Sequence, residues 1–207
     1  MLYEKRFAEH FSKVQIFTFK DASRFLKRLG ASEAYVKLFM HNRLKKGMRR
    51  IGKGAYTFQD TDAVIGFAYS PFYYGMEYAL TIHRLWTQMA DPVIITTRSV
   101  VPGEREAGGT QITIRKISGR MFFGTERLLY DGMFVPVSDV EKTLIDFIYY
   151  RVNIGAEDMS SLVAACNKGK LRKYSRLCSK TVSTRLNRIL SQHKTSKNSA
   201  KQSANAK

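Results

Sequence analysis

Residues 14–58 contain two amphipathic helical segments followed by a short hairpin framed by glycines, and this order restricts the fold more than any other feature of the chain. The first segment begins at Thr18, which has the spacing of a helix capping box with Asp21, and it ends at Gly30. Its apolar residues recur at steps of three and four positions, namely Ala22, Phe25, Leu26 and Leu29. This periodicity predicts a helix that buries one face.

The second segment is predicted to be a helix capped by Ser32, and its buried side consists of Val36, Phe39, Met40 and Leu44. Strand-like runs at residues 48–51 and 55–58 flank Gly52-Lys53-Gly54, where two glycines permit the positive backbone angles of a tight turn. Two helices followed by such a hairpin are typical of a winged helix-turn-helix. That unit offers its second helix to the major groove of DNA and its hairpin, the wing, to the flanking phosphates.

Positive charge is concentrated at the two ends of the chain. The formal net charge is +18, with 14 Lys and Arg against 5 Asp and Glu in residues 1–60, 12 against none in residues 167–207, and 9 against 12 between them. Segregated positive charge indicates a polyanionic partner, and double-stranded DNA is the partner we expect. The alternatives to DNA binding are a solvated basic surface without a partner and a basic tail that binds anionic lipid. The segment from Lys168 onward is interpreted either as a second phosphate-binding surface or as a solubilising end.

Length and composition predict a globular protein of two domains, and the helical and strand-like patterns along the chain predict the α+β class. A chain of 207 residues with 44% hydrophobic side chains can bury a sizeable core. We expect a winged helix-turn-helix domain at 1–60, a mixed α+β domain at 61–192 and a disordered basic tail at 193–207. No signal peptide and no run of about 20 apolar residues is present, so we expect a cytoplasmic protein without a membrane partner.

Residues 61–192 mix helical and strand-like patterns. A helix is predicted from about residue 75 to 88, and another after Ser138, which is interpreted as the start of a capping box with Glu141. Runs rich in Val, Ile, Thr and Phe predict strands at 92–97, 111–117 and 121–137, and helical spacing returns over 156–192. Cys166 and Cys178 lack companion residues at metal-ligand spacing, and we predict free thiols.

Eight residues of the N-terminal domain are the candidate DNA contacts. The first part of a recognition helix points at base edges, and this predicts base contacts by Ser32, Tyr35, Lys37 and His41. Phosphate contacts, which give affinity without sequence choice, are predicted for Arg43, Arg49, Arg50 and Lys53, with Lys37 as a further candidate. The alternative for the helix is an ordinary solvated face.

The acidic middle of the chain raises the alternative of an enzyme that processes nucleic acid. A metal-binding cluster would draw on Glu126, Asp131, Asp139, Glu141 and Asp146. Asp139 and Glu141 are more simply explained as groups that satisfy amides at a helix start. The chain also has no Walker loop, no Gly-x-Ser-x-Gly and no His-Glu-x-x-His. We therefore predict that the protein is not an enzyme and holds no metal or cofactor.

Two other features have a structural and a functional interpretation. His83 shares a helical stripe with Leu80 and Trp86, which favours a hydrogen-bonded core histidine over a ligand or base. A run of aromatic residues could stack on single-stranded bases in an RNA-binding module, although packing in the core and between the domains is the favoured interpretation. Its members are Phe67, Tyr69, Phe72, Tyr73 and Tyr74.

Three segments together resemble the AbiEi-like antitoxins, which are winged-helix transcriptional regulators of type IV toxin-antitoxin systems in abortive infection. Residues 44–56 are similar to the family's passage from recognition helix into wing, and residues 70–83 to the helix that opens its C-terminal domain. Residues 137–146 contain Glu-Lys-Thr-Leu-Ile-Asp, similar to the family's Glu-Lys-Thr-Leu-x-Asp signature.

The resemblance implies a regulator in antiviral defence that represses the operon encoding itself and a partner toxin. The toxin would resemble a nucleotidyltransferase, and the antitoxin would not need to bind it directly. The C-terminal domain would then serve sensing, spacing or dimerisation, so a homodimer is one expected assembly.

Overall fold

A computed structural model of the chain describes the backbone of residues 2–205 and the side chains of residues 3–193. Its N-terminal part consists of α1 (Leu2–Phe11), β1 (Phe17–Thr18), α2 (Phe19–Arg28), α3 (Glu33–Leu44), β2 (Arg49–Gly52) and β3 (Ala55–Thr57). The three strands form an antiparallel sheet in the order β1-β3-β2.

The remainder of the chain builds a second, larger sheet with helices packed against it. After a 3₁₀ helix at Asp62–Tyr69, the elements are β4 (Phe72–Tyr74), α4 (Met76–Ile82), β5 (Val93–Thr96), β6 (Gly103–Ala107), β7 (Thr110–Lys116), β8 (Thr125–Tyr130), β9 (Met133–Ser138), α5 (Val140–Tyr150), α6 (Ala156–Ala165), α7 (Lys168–Ser175) and α8 (Lys180–Asn205). The strand order is β6-β7-β5-β4-β9-β8, in which β4/β9 and β5/β7 run parallel. Helices and a mixed sheet confirm the predicted α+β class.

Aromatic rings hold the N-terminal helices together. Phe7 of α1 is fully buried, and its ring centroid lies 4.5 Å from that of Phe11 and 5.0 Å from that of Phe39 on α3. Ring pairs at these separations add favourable contacts to the burial of apolar area. Because α3 packs inward through Val36, Phe39 and Met40, its opposite side is left at the surface.

The capping box predicted for α2 is present. The Asp21 amide donates to Thr18 Oγ1 at 3.2 Å, and the Thr18 amide donates to Asp21 Oδ2 at 2.9 Å. Hydrogen bonds from the hydroxyl and the amide of Thr18 lower the pKa of the Asp21 carboxyl. This box starts α2 immediately after β1.

Several predicted boundaries differ from the structure. The helix predicted over 75–88 ends at Ile82, since Arg84 has a φ of 59° and the Leu85 amide turns back to the Leu80 carbonyl. The cap of α5 is Asp139 rather than Ser138, and it accepts a hydrogen bond from the Lys142 amide at 2.8 Å. Strands β4 and β6 were not predicted as strands.

The predicted disordered tail also differs from the structure. Helix α8 continues as far as Asn205. The stretch from His193 to Asn205 contains neither Gly nor Pro, so its backbone has no residue that breaks a helix. Residues 206 and 207 lie outside the described part of the chain. Within the described part, no helix combines the length and the apolar character needed to cross a bilayer.

A fully buried ion pair lies inside the C-terminal core. Lys142 and Asp146, one turn apart on α5, are both completely inaccessible, and the Lys142 ammonium donates to Asp146 Oδ1. The Tyr73 hydroxyl donates to Asp146 Oδ2 at 3.0 Å, and the Lys142 Nζ lies 5.3 Å from the Tyr73 ring centroid and 5.2 Å from that of Phe123. Burial raises the pKa of Asp146, while the charge and hydrogen bond of Lys142 oppose that rise.

Candidate nucleic-acid interface

Helix α3 turns an exposed face away from the N-terminal core. Its first turn is capped by Ser32, whose Oγ accepts a hydrogen bond from the Tyr35 amide at 3.3 Å. All four residues predicted to contact bases are exposed on or at the start of this helix, namely Ser32, Tyr35, Lys37 and His41. Tyr35 is 39% exposed, and its ring packs on one side against Tyr3, with 5.4 Å between centroids.

Two leucines of α3 are exposed, and one of them departs from the sequence-based prediction. Leu44 was assigned to the buried side but is 38% exposed, and Leu38 in the middle of the helix is 56% exposed. Leu38 follows Lys37 and lies one helical turn after Ala34, opposite the buried Val36 and Phe39. The sequence already indicates that Leu38 is exposed, because it does not belong to the apolar stripe of the helix.

The β2–β3 hairpin presents two cations beside α3. Gly52 pairs with Ala55, so Lys53 and Gly54 form the turn, and Gly54 has a φ of 72°, which strongly favours glycine. Lys53 and Arg50 are exposed, whereas Ile51 and Ala55 are buried against the C-terminal core. The hairpin therefore has a cationic outer side and an apolar inner side.

Arg43 is less accessible than the other cations predicted to contact phosphate. Its side chain is only 14% exposed, and its guanidinium lies 5.6 Å from the Phe58 ring centroid and 3.9 Å from the Glu4 carboxylate. These contacts give Arg43 a packing role within the protein, and its phosphate contact stays a prediction.

Arg49 is also turned away from the outer surface. Its side chain is 21% exposed and donates to the Gly108 carbonyl and the Asp62 carboxylate in the C-terminal part of the chain. The guanidinium is therefore engaged within the protein, and the direct phosphate contact of Arg49 stays a prediction that these contacts do not favour.

Local ion pairs leave the outer face of α3 positively charged. Glu33 lies 3.3 Å from Lys27, and Glu4 lies 3.1 Å from Lys46, whose hydrogen bond lowers the pKa of Glu4. Among the described side chains, Lys37 and Lys45 form no ion pair. The carboxylates near α3 are thus paired, while two of its lysines remain available to a polyanion.

A second basic surface covers α7 and the first part of α8. Its exposed cations are Lys168, Arg172, Lys173, Arg176, Lys180 and Arg188. Of the cations between residues 167 and 193, Lys170 alone forms an ion pair among the described side chains, at 3.1 Å from Asp139 and 3.0 Å from Glu141. This pair anchors the basic surface to the start of α5.

The acidic residues considered for catalysis do not form one cluster, and three of them are bound to other groups of the protein. Asp139 caps α5, and Glu141 accepts a hydrogen bond from the Asn167 amide at the start of α7, at 2.6 Å. Asp146 is paired with Lys142, while Glu126 and Asp131 are exposed on the β8–β9 hairpin. The described side chains contain no group of three or more His, Cys, Asp or Glu arranged to hold a metal ion.

His83 and the aromatic run belong largely to the protein interior. His83 is half-buried, and its Nε2 donates to the Ser138 carbonyl at 2.7 Å, which confirms the hydrogen-bonded histidine. Four members of the aromatic run are buried, namely Tyr69, Phe72, Tyr73 and Tyr74. These rings are therefore not available for stacking on bases.

Both cysteines are free, as predicted, and both are buried, so we expect neither to react in the native protein. Burial raises the pKa of Cys166 to about 12, and burial also raises the pKa of Cys178. The thiolate is the reactive form, so labelling by a disulfide reagent at pH 8 should stay slow until denaturant is added. Rapid labelling of two thiols in the folded protein would contradict this placement.

Comparisons with known proteins give a likeness of fold. No protein-family model matches the chain, and no curated protein is significantly similar to it. The crystal structure of the RV2827C protein from Mycobacterium tuberculosis is similar over 93% of this chain and 78% of that one, with a TM-score of 0.64 and 12% sequence identity. At that identity, the chain is similar to RV2827C in fold alone.

Proposed function

We propose that residues 2–58 form a winged helix-turn-helix that binds double-stranded DNA, with α3 as the recognition helix and the β2–β3 hairpin as the wing. The observation that carries this proposal is the pairing of an exposed helix face that retains Lys37 and Lys45 with an adjacent hairpin that presents Arg50 and Lys53. A helix of this kind fits the major groove, and cations beside it neutralise phosphates.

The side chains divide into two roles. Tyr35, Lys37 and His41 are assigned to base edges, together with the exposed Leu38, whose apolar side chain suits the methyl group of thymine. Ser32 caps the helix and its hydroxyl can still donate a hydrogen bond outward. Arg50 and Lys53 are assigned to phosphates, and the basic surface of α7 and α8 adds further phosphate contacts.

The biological role we propose is that of an autorepressing antitoxin of a type IV toxin-antitoxin system. Its support is the resemblance of residues 44–56, 70–83 and 137–146 to the AbiEi-like antitoxins. Repression then acts through occupancy, because a protein bound at the operator blocks polymerase. An adjacent gene for a nucleotidyltransferase-like toxin is the genomic observation that tests this role. If no such gene is adjacent, the antitoxin role is wrong and the protein is proposed as a general repressor.

Lys53→Ala is expected to weaken binding to the chain's own promoter and to an unrelated duplex by the same factor. Each phosphate contact contributes about −0.9 to the slope of log K against log salt, so this variant should also flatten the slope by about that amount. Mobility-shift titrations at several salt concentrations measure both quantities.

Lys116→Ala is the matched control for this charge change, since Lys116 is an exposed lysine of β7 outside the proposed interface. If Lys53→Ala and Lys116→Ala have the same affinity and salt slope, the wing does not contact phosphate. If the unaltered protein binds neither duplex, the proposed function is wrong.

A further inference from the structure

We propose that Arg49 is a positioning residue, which fixes the orientation of the β2–β3 hairpin by tying it to the β6–β7 turn. Arg49 would then support DNA binding through the placement of Arg50 and Lys53, without touching DNA itself. The proposal rests on the proposed function, because it concerns how the wing is presented to phosphates.

The guanidinium of Arg49 reaches acceptors on two separate stretches of chain, the β6–β7 turn and residues 59–62. Its Nε and Nη2 donate to the Gly108 carbonyl at 3.1 and 2.7 Å, and Nη2 also lies 2.8 Å from Asp62 Oδ1. Its Nη1 donates to the carbonyls of Thr61 and Gln59 at 3.4 and 3.5 Å. All three nitrogens are thus engaged, in the fan of donors that only arginine provides.

The acceptors are themselves held in place. Asp62 lies in the first turn of the 3₁₀ helix, and its Oδ1 also accepts a hydrogen bond from Thr110 Oγ1 at 2.6 Å. Gly108 has a φ of 63°, and a Cβ built there would lie 3.1 Å from Arg49 Nη2 and 3.1 Å from Ile51 Cγ2. A side chain at position 108 would therefore be strained by the positive φ and would crowd Arg49 and Ile51 of β2. We call Arg49, Asp62, Gly108 and Thr110 the Arg49 network.

The Arg49 network faces away from the proposed DNA surface, while Arg50, the next residue of β2, faces toward that surface. Successive residues of a strand point to opposite sides, so Arg49 is held inward while Arg50 is exposed on β2. Ile51 is fully buried and packs in the same direction as Arg49. The polar network and this apolar contact together set the angle at which the hairpin leaves the C-terminal part of the chain.

Asp62→Ala tests the proposal through the sign of its effect. Removal of a carboxylate makes the protein more positive, so long-range electrostatics alone would tighten DNA binding. Loss of the network instead predicts weaker binding to the promoter, by roughly tenfold, because the contacts of Arg50 and Lys53 are misplaced. The slope of log K against log salt should flatten at the same time, as is expected for Lys53→Ala.

Asp60→Ala is the matched control, since Asp60 is an exposed carboxylate two residues away and carries the same charge. Its promoter affinity should equal or slightly exceed that of the unaltered protein. Arg49→Lys keeps the positive charge but cannot reach all the acceptors, so it should lose affinity at unchanged net charge, and Arg49→Ala should lose at least as much. Gly108→Ala, which alters no charge, should weaken binding in the same direction.

Two results would overturn the positioning role. One is an Asp62→Ala protein that binds as tightly as Asp60→Ala, and the other is full rescue by Arg49→Lys, which would indicate a direct phosphate contact. If Asp62→Ala does not fold, Arg49→Lys and Gly108→Ala decide the question. Thermal unfolding of Arg49→Lys, Asp62→Ala and the double variant measures the coupling free energy between these two residues in the absence of DNA. A coupling near zero would show that the network does not stabilise the protein, whether or not the protein binds DNA.

Discussion

Lys142→Met should lower the free energy of unfolding by about 3–5 kcal/mol at pH 7, because it leaves the buried Asp146 carboxylate without its cation. Burial raises the pKa of Asp146, and without the ammonium nothing offsets that rise except the Tyr73 hydrogen bond. In this variant the folded state therefore binds the proton more tightly than the unfolded state. Its stability should fall as pH rises from the ordinary aspartate range through the raised pKa, and should recover on acidification.

Chemical denaturation between pH 4 and 8 measures this pH dependence. The control is the double variant Lys142→Met, Asp146→Leu, which removes both charges and should lie closer to the unaltered protein than either single variant does. A Lys142→Met protein with unchanged stability at pH 7 would show that the pair contributes nothing. A penalty that does not shrink toward pH 4 would show that Asp146 is not its source.

Tyr35→Ala and Lys37→Ala are expected to reduce the preference for the promoter over an unrelated duplex. A good contact to a base edge contributes about 1–3 kcal/mol of discrimination, which corresponds to roughly 5–150-fold in the ratio of the two affinities. Both residues lie in the first half of α3, the part of a recognition helix that points at bases. Competition titrations with both duplexes at one salt concentration measure this ratio.

Lys45→Ala supplies the comparison, since Lys45 carries the same charge as Lys37 but caps the far end of α3. It should lower both affinities by a similar factor and keep their ratio. If the ratio also survives in Tyr35→Ala and Lys37→Ala, α3 does not read the sequence. If Tyr35→Ala, Lys37→Ala and Lys53→Ala all leave promoter binding unchanged, the assignment of the motif is wrong.

The features that the sequence predicted correctly depend on residues close together in the chain. The capping box joins Thr18 to Asp21, and the cap of α3 joins Ser32 to Tyr35, each across three residues. The turn at Gly54 depends on the backbone freedom of that one residue. The partners of these hydrogen bonds are set by spacing within one helical turn, so local spacing was sufficient to find them.

The features that the sequence missed depend on distant partners. Charge alone does not separate Arg43 or Arg49 from the exposed Arg50. Strand alternation places Arg49 and Arg50 on opposite sides of β2, but it does not decide which side faces inward. Arg49 is engaged because the Gly108 carbonyl, 59 residues away, lies beside it. The sequence pattern therefore predicted the positive charge of the hairpin, whereas the low exposure of Arg49 follows from its tertiary contacts.

The sequence by itself determined the α+β class, the order of the first helices and hairpin, and the positive charge on both ends of the chain, because these follow from periodicity, caps and composition. Only the tertiary structure decided which cations face outward, and that Lys142 and Asp146 form an inaccessible pair. Their spacing of four residues would equally suit a surface pair on a helix. Packing against Tyr73 and Phe123 buries them, and such packing depends on contacts between residues far apart in the chain.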